Sequence, residues 1–124
     1  MRIGALGKTY EDGQYITKQG ESGQCMYIVQ QGCVEVVVEG REGEVVLSRL
    51  EIGDVFGEMA LFTGKPRSAS VRAQGSARVL TVDKRGFLRR VHEDPSLAFH
   101  ILQRMSERIQ ALDEEVVRLR SRQP

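Results

Sequence analysis

The sequence predicts a mainly β fold with helices at its C-terminal end, and three observations lead to this fold class. Glycine is concentrated early, with 11 of the 13 glycines before residue 65. Short runs of valine, isoleucine and tyrosine lie between these glycines, as in barrels and sandwiches built from short strands. After residue 83, apolar residues instead recur at helical spacing. We therefore expect one domain over residues 1–124, with a β-barrel over 1–82 and C-terminal helices over 83–122.

The predicted strands are short runs rich in β-branched residues, which pack well on a pleated sheet. They cover residues 15–17, 26–29, 34–38, 45–47, 69–73 and 77–82. Glycine marks the turns between them, which we expect at residues 20–23, 31–32, 40–43 and near 75.

Two helices are predicted after the last strand. Residues 84–92 form a short helix with one apolar face. Asp94 and Pro95 suit the N-cap and first turn of a longer helix that continues through Leu97. Its apolar residues follow steps of four and three: Ile101, Met105, Ile109, Leu112, Val116 and Leu119. This narrow stripe either covers the barrel or pairs, in its outer half, with a second copy in a homodimeric coiled coil, for which so short a stripe is marginal.

Net charge and composition limit the cellular compartments and the classes of binding partner that we expect. The formal net charge of +1 provides no broad attraction to nucleic acid or to a membrane surface. The sequence has neither a secretory signal nor a transmembrane run, and Cys25 and Cys33 are too few for a disulfide framework. No helix-turn-helix follows the long helix. We therefore expect a cytoplasmic chain that by itself binds neither nucleic acid nor membrane.

Residues 53–71 form a segment between two strands that is too long for a hairpin turn. Gly57 allows the backbone to approach a ligand closely, and it precedes a one-turn helix predicted over residues 58–62. The free N–H groups at the start of that turn can face an anion. Arg67 offers a planar fork of donors suited to a phosphate diester, and Ser68 adds a hydroxyl.

Glu58 conflicts with a simple anion site, because a carboxylate repels a phosphate. The conflict disappears if the ligand carries a hydroxyl beside its phosphate, since a carboxylate accepts such a hydrogen bond strongly. A 3′,5′-cyclic ribonucleotide has one phosphate charge and one free sugar hydroxyl. The alternative is that Glu58 and Arg67 form a salt bridge across the loop and bind nothing.

The order and spacing of this segment resemble a known family. Phe-Gly-Glu-Met-Ala-Leu at residues 56–61, followed after a short spacer by Pro-Arg-Ser-Ala-Ser-Val at 66–71, is similar to the phosphate-binding cassette of the cyclic nucleotide-binding domain family. The resemblance implies a double-stranded β-helix (jelly-roll) barrel that carries the cassette over residues 56–71. It also implies a regulatory domain that binds cAMP or cGMP and transmits binding through its C-terminal helix.

The resemblance implies a role for each matching residue. Glu58 would accept a hydrogen bond from the ribose 2′-hydroxyl, while Arg67 and Ser68 would contact the cyclic phosphate. Gly57 and Ala60 would contribute backbone contacts. The other positions implied to contact the nucleotide are Met59 and Ala69 in the cassette, Val36 and Leu47 on strands beside the base and sugar, and Arg108, Leu112 and Asp113 on the long helix beside the base.

The residues that would contact the base discriminate less clearly between cAMP and cGMP. Leu112 and Asp113 stand where a member of the family carries hydroxyl residues, and Asp113 either accepts a hydrogen bond from a purine amino group or faces solvent. Ser68 is compatible with both nucleotides. We expect cAMP to be favoured over cGMP.

Rival functions lack the residues they need. The two histidines, His92 and His100, lie in the helical part, so a cupin-type metal site and a haem ligand near the cassette are not predicted. Serines such as Ser48, Ser68 and Ser70 have no histidine nearby in sequence for nucleophilic catalysis. A domain that keeps the fold but has lost its pocket would not need Glu58 and Arg67 together. We expect a non-enzymatic chain without a cofactor.

Overall fold

The computed structural model describes residues 6–122. Its elements in chain order are β1 (Lys8–Tyr10), β2 (Tyr15–Thr17), β3 (Cys25–Gly40), β4 (Gly43–Glu51), β5 (Val55–Phe56), α1 (Glu58–Thr63), β6 (Ser70–Asp83), α2 (Lys84–Glu93) and α3 (Ser96–Arg120). This order confirms the predicted fold class, a mainly β chain with C-terminal helices.

The two longest strands, β3 and β6, form the spine of a single antiparallel sheet. They pair from Cys25 opposite Asp83 to Val37 opposite Ser70. Strands β1 and β2 pair with β6, and β4 and β5 pair with β3. The hydrogen-bonded order β1-β6-β3-β4 is open, since within residues 6–122 strand β4 pairs with β3 alone. The sheet is therefore a β-roll of the jelly-roll type and not a closed barrel.

The predicted breaks inside the two long strands are wrong. Residues 26–29 and 34–38 belong to one strand, β3, and residues 69–73 and 77–82 largely to β6. The β3–β6 ladder shifts register around Gln31 and then continues. Gly32 has a φ of 77°, and a Cβ there would lie 2.3 Å from the Ser76 carbonyl oxygen. Glycine at position 32 therefore allows β3 and β6 to approach closely, and it does not end β3.

Two hydrophobic cores stabilise this arrangement. One lies within the roll and contains Tyr10, Val29, Val34, Leu50, Phe56, Val71, Ala73, Ala77 and Val79. The other joins the sheet to the helices and contains Met26, Ile28, Val55, Leu80, Val82, Leu97 and Ile101. Burying each large aliphatic side chain contributes about 1.5–3 kcal/mol, so the second core fixes the first turns of α3 against the sheet.

The two ends of α3 differ in their surroundings. Leu97 and Ile101 are buried, whereas every residue from Ile109 to Arg120 is exposed. The inner part of the apolar stripe therefore covers the sheet, and the outer part extends beyond it. In the described part of the chain, no helix has the length and apolarity needed to cross a membrane.

Candidate functional site

A cavity of about 110 Å³ lies between the 56–71 segment, the sheet and α3. Its lining residues come from β2, β3, β5, the start of β6 and α3 as well as from the segment itself: Thr17, Val36, Phe56, Gly57, Glu58, Met59, Ala60, Pro66, Arg67, Ser68, Ala69, Val71 and Arg108. We call it the cassette cavity. It is smaller than the roughly 300–1,000 Å³ typical of small-molecule pockets.

Gly57 sets the local path of the chain at this cavity. It has a φ of 75° and precedes α1, whose observed span of Glu58–Thr63 is one residue longer than the predicted turn. A Cβ at Gly57 would lie 2.5 Å from Nη1 of Arg67. Glycine is therefore needed both for the left-handed backbone and for the close approach of the guanidinium.

Arg67 is held from its backbone and from its side chain. Its N–H donates to the Glu21 carbonyl at 2.9 Å, and its carbonyl accepts from the Gly20 N–H at 2.8 Å. Its Nη1 donates to the Gly57 carbonyl at 2.9 Å. The residue is only 9% exposed, yet it has no ion pair with any acidic residue within 6–122. The site thus contains a fixed, buried cation without an acidic partner.

An aromatic pair supports this guanidinium. Tyr27 stacks on Phe56 with the ring centroids 5.0 Å apart, and the guanidinium carbon of Arg67 lies 5.4 Å from the centroid of Tyr27. Burial raises the pKa of Tyr27 above its usual value of 10.0, and the nearby Arg67 charge opposes that rise. The Tyr27 ring thus adds a cation–π contact to the hydrogen bond that orients the arginine.

Glu58 faces a different arginine. Its side chain is 14% exposed, and its Oε1 lies 4.0 Å from Nη1 of Arg108 on α3. The same Nη1 donates to the Val55 carbonyl at 2.8 Å. No ion pair between Glu58 and Arg67 occurs among the described residues, so the loop salt bridge considered as the alternative does not form.

A second cavity of about 110 Å³ adjoins the first, and Glu58 and Arg108 line both. Its other walls are apolar side chains of α3: Met105, Ile109 and Leu112. We call it the helix cavity. The pair Glu58–Arg108 lies at the boundary between the space beside Arg67 and the apolar space beside α3.

Nine of the twelve residues predicted from the sequence line the cassette cavity: Val36, Gly57, Glu58, Met59, Ala60, Arg67, Ser68, Ala69 and Arg108. Leu112 lines the helix cavity instead. Their predicted contacts with a nucleotide stay predictions.

Leu47 and Asp113 line neither cavity. Val36 pairs with Ser48 and Val37 with Val46, so Leu47 is the extra residue of a β-bulge and is 59% exposed. Asp113 lies on the exposed outer part of α3, beyond the turns that pack on the sheet.

Four lining residues were not among the predicted contacts: Phe56, Pro66 and Val71, which lie within the predicted cassette, and Thr17, which lies outside it. Thr17 is buried at 5% exposure although it is polar, and it precedes the cassette by some forty residues. The sequence holds no clear signal for it, because β2 has only three residues and its register with β6 shifts between Tyr15 and Thr17. Metal ligation finds no support here, since no cluster of three or more His, Cys, Asp or Glu side chains occurs among the described residues.

Comparison with known proteins identifies the family. The family model described as cyclic nucleotide-binding domain matches residues 7–94. The chain is 32% identical over 109 residues to the cAMP-activated global transcriptional regulator CRP of Salmonella typhimurium, covering 86% of this chain and 52% of that protein. It is 43% identical over 70 residues to the cAMP-dependent protein kinase type II regulatory subunit of Drosophila melanogaster, covering 56% of this chain and 19% of that one.

A solved structure agrees with these matches. The catabolite activator protein of Thermus thermophilus superposes with a TM-score of 0.75 at 30% identity, over 90% of this chain and 53% of that chain. The chain therefore spans about half the length of the Salmonella regulator and of the Thermus activator protein, and about a fifth of the kinase subunit. On the family match over residues 7–94, and on the sequence similarity that accompanies it, the chain belongs to the cyclic nucleotide-binding domain family.

Proposed function

We propose that the chain is a regulatory module that binds a 3′,5′-cyclic nucleotide in the cassette cavity, with cAMP favoured over cGMP. The observation that carries the proposal is the fixed, buried guanidinium of Arg67, which lines the cavity without an acidic partner among residues 6–122. A cyclic phosphate would supply the missing negative charge, and the planar fork matches its two free oxygens. Glu58, on the same cavity, would accept the 2′-hydroxyl.

The two adjoining cavities suggest how the rest of the nucleotide is placed. The cassette cavity offers polar partners for a sugar and a phosphate in Glu58, Arg67 and Ser68, whereas apolar side chains of α3 line the helix cavity and suit a base. Neither cavity alone reaches the usual volume of a small-molecule pocket. We therefore propose that the nucleotide occupies both, which requires the Glu58–Arg108 boundary to rearrange.

The preference for cAMP is supported by the relatives. The Salmonella regulator is described as cAMP-activated and the Drosophila kinase subunit as cAMP-dependent. Isothermal titration of the chain with cAMP, cGMP and 5′-AMP tests ligand and base together. We expect saturable binding of both cyclic nucleotides, tighter for cAMP, and much weaker binding of 5′-AMP, which lacks the cyclic diester. Absence of saturable binding of either cyclic nucleotide would refute the function, and tighter cGMP binding would refute only the base preference.

We further propose that the cassette signals through the helices by direct packing. Leu61 of α1 packs against the core that contains Leu97 and Ile101 of α3. Phe62 contacts the ring of Phe87 in α2 edge-on, with 5.6 Å between the centroids. A ligand can shift the helices only by the difference in its affinity for their two positions. These contacts would transfer a movement of α1 to both helices.

The outer half of α3 supports a second proposal, a homodimer formed by this helix. Ile109, Leu112, Val116 and Leu119 are 46–64% exposed and follow heptad spacing. Sedimentation velocity of Leu112→Glu against Ala111→Glu tests it, because Ala111 lies off the stripe on the same helix. We expect the wild type and Ala111→Glu to associate and Leu112→Glu to be monomeric. A monomeric wild type across the concentration range would refute the dimer and leave ligand binding untouched.

A further inference from the structure

A larger cavity lies at the other end of β6, away from the cassette. Its volume is about 300 Å³, against about 110 Å³ for the cassette cavity, and the two have no lining residue in common. Its walls include residues 81–83 at the end of β6, together with Gly86, Arg89 and Arg90 of α2. We call it the α2 cavity. Its size reaches the lower end of the range for pockets that hold small molecules.

The arginines of this cavity are unpaired. Arg89 and Arg90 have no ion pair with any acidic residue in the described part of the chain, whereas Arg72, Arg104, Arg108 and Arg118 each have at least one. Nε of Arg90 is buried and has no hydrogen-bond partner. Buried donors are satisfied in the great majority of native sites. Three buried side-chain nitrogens in the described residues lack a partner, in Arg78, Arg90 and His100, and of these residues only Arg90 lines one of the three cavities.

The carboxylate in the cavity wall does not supply that acceptor. Asp83 Oδ1 accepts from the Gly86 N–H at 2.7 Å and so serves as the N-cap of α2. Asp83 has no ion pair with Arg89 or Arg90. The walls therefore carry two guanidinium charges against one carboxylate, one oxygen of which accepts the N-cap hydrogen bond, while Thr81 adds a hydroxyl and Cys25 a thiol. This donor set matches the oxygens of a phosphate group.

We propose that the α2 cavity is a second anion site, distinct from the nucleotide site, that binds a phosphate group either free or carried by a small molecule. Arg89 and Arg90 bind the phosphate oxygens, and the Arg90 side chain turns so that its buried Nε gains an acceptor. The proposal does not depend on nucleotide binding at Arg67, because it concerns different residues at the opposite end of β6.

Amide chemical shifts in ¹⁵N-labelled protein locate this binding directly. We would titrate inorganic phosphate and, separately, glycerol 3-phosphate at constant ionic strength, in the wild type and in Arg67→Leu. We expect saturable shifts at Thr81, Asp83 and Gly86 in both proteins. Equal affinities would identify phosphate itself as the ligand, and tighter glycerol 3-phosphate binding would identify a phosphorylated small molecule. Absence of saturable shifts at these amides in both proteins overturns the proposal.

Variants on α2 separate the cavity from general charge. Arg89→Gln and Arg90→Gln should each weaken phosphate binding about tenfold, because each removes charge-assisted hydrogen bonds. Arg85→Gln removes the same charge from the same helix outside the cavity and should leave the affinity unchanged. Equal weakening by Arg85→Gln and Arg89→Gln would mean a diffuse charge effect and overturns the site. Two cavity variants keep the test decisive should one of them fold poorly.

Discussion

Two arginines line the cassette cavity, and they are held in different ways. Arg67 is 9% exposed, its backbone is hydrogen-bonded to residues 20–21, and its side chain donates to Gly57. The Arg108 side chain is 36% exposed and belongs to a helix whose residues beyond it are all exposed. It reaches the sheet through one hydrogen bond to Val55. Arg67 is therefore fixed by the loop around it, whereas Arg108 lies near the point where α3 leaves the sheet.

The two also differ in charge compensation. Arg67 has no acidic partner in the described residues, while Arg108 lies 4.0 Å from Glu58. A ligand anion can therefore bind Arg67 without displacing another anion. A sugar hydroxyl that binds Glu58 alters the surroundings of Arg108. The difference suggests a division of labour in which Arg67 supplies affinity and Arg108 connects the occupied site to α3.

The largest expected effect comes from removing the fixed charge. Arg67→Leu should lower the affinity for cAMP by about 3 kcal/mol, roughly a hundredfold, because two charge-assisted hydrogen bonds to the phosphate are lost at a buried position. Lys65→Leu removes the same charge from the same loop outside the cavity and should bind normally. Calorimetric titration of both variants measures the difference. Binding by Arg67→Leu within a few-fold of the wild type would contradict the assigned role of Arg67.

An intermediate effect is expected at Glu58, which lies between the two arginines. Glu58→Ala should weaken cAMP binding about tenfold, as expected for one hydrogen bond to a charged acceptor. It should leave 2′-deoxy-cAMP, which lacks the hydroxyl, almost unaffected. Titrating both ligands into both proteins closes a double-mutant cycle. A wild-type preference for cAMP over 2′-deoxy-cAMP that survives in Glu58→Ala would remove the role assigned to this carboxylate.

The fold class and most of the lining residues could be predicted from the sequence because they depend on local signals. Glycine at 57 and 64 and the charged residues between β5 and β6 mark the cassette within one short stretch. The continuity of β3 could not be predicted, because it depends on the close approach of Gly32 to Ser76 on β6, more than forty residues later. Strands as short as β1 and β5 are too brief to show alternation.

The missed or misplaced site residues have the same cause. Leu47 was assigned to the site by its strand position, but a bulge, which depends on the register of two strands, changes which side chains face inward. Thr17 joins the cavity through pairing of β2 with β6, a contact between distant parts of the chain. That Arg67 lacks an acidic partner could not be read from the sequence either, since seventeen acidic residues were available to pair with it.

The smallest effect on affinity is expected at Arg108, where the two roles, binding and transmission to α3, can be separated. Arg108→Leu should weaken cAMP binding only about threefold, because its side chain is partly solvated and its ion pair with Glu58 is long. It should, however, abolish the change in amide hydrogen exchange that cAMP produces along α3, since Arg108 is the contact from α3 to Glu58. Arg104→Leu is the matched control, because Arg104 also joins α3 to the β-roll, through Ile52 and Asp54 in the turn between β4 and β5, but does not line the cassette cavity. If Arg104→Leu abolishes the exchange response equally, the response depends on general docking of α3 and not on Arg108. If Arg108→Leu weakens cAMP binding as much as Arg67→Leu does, both arginines bind the phosphate.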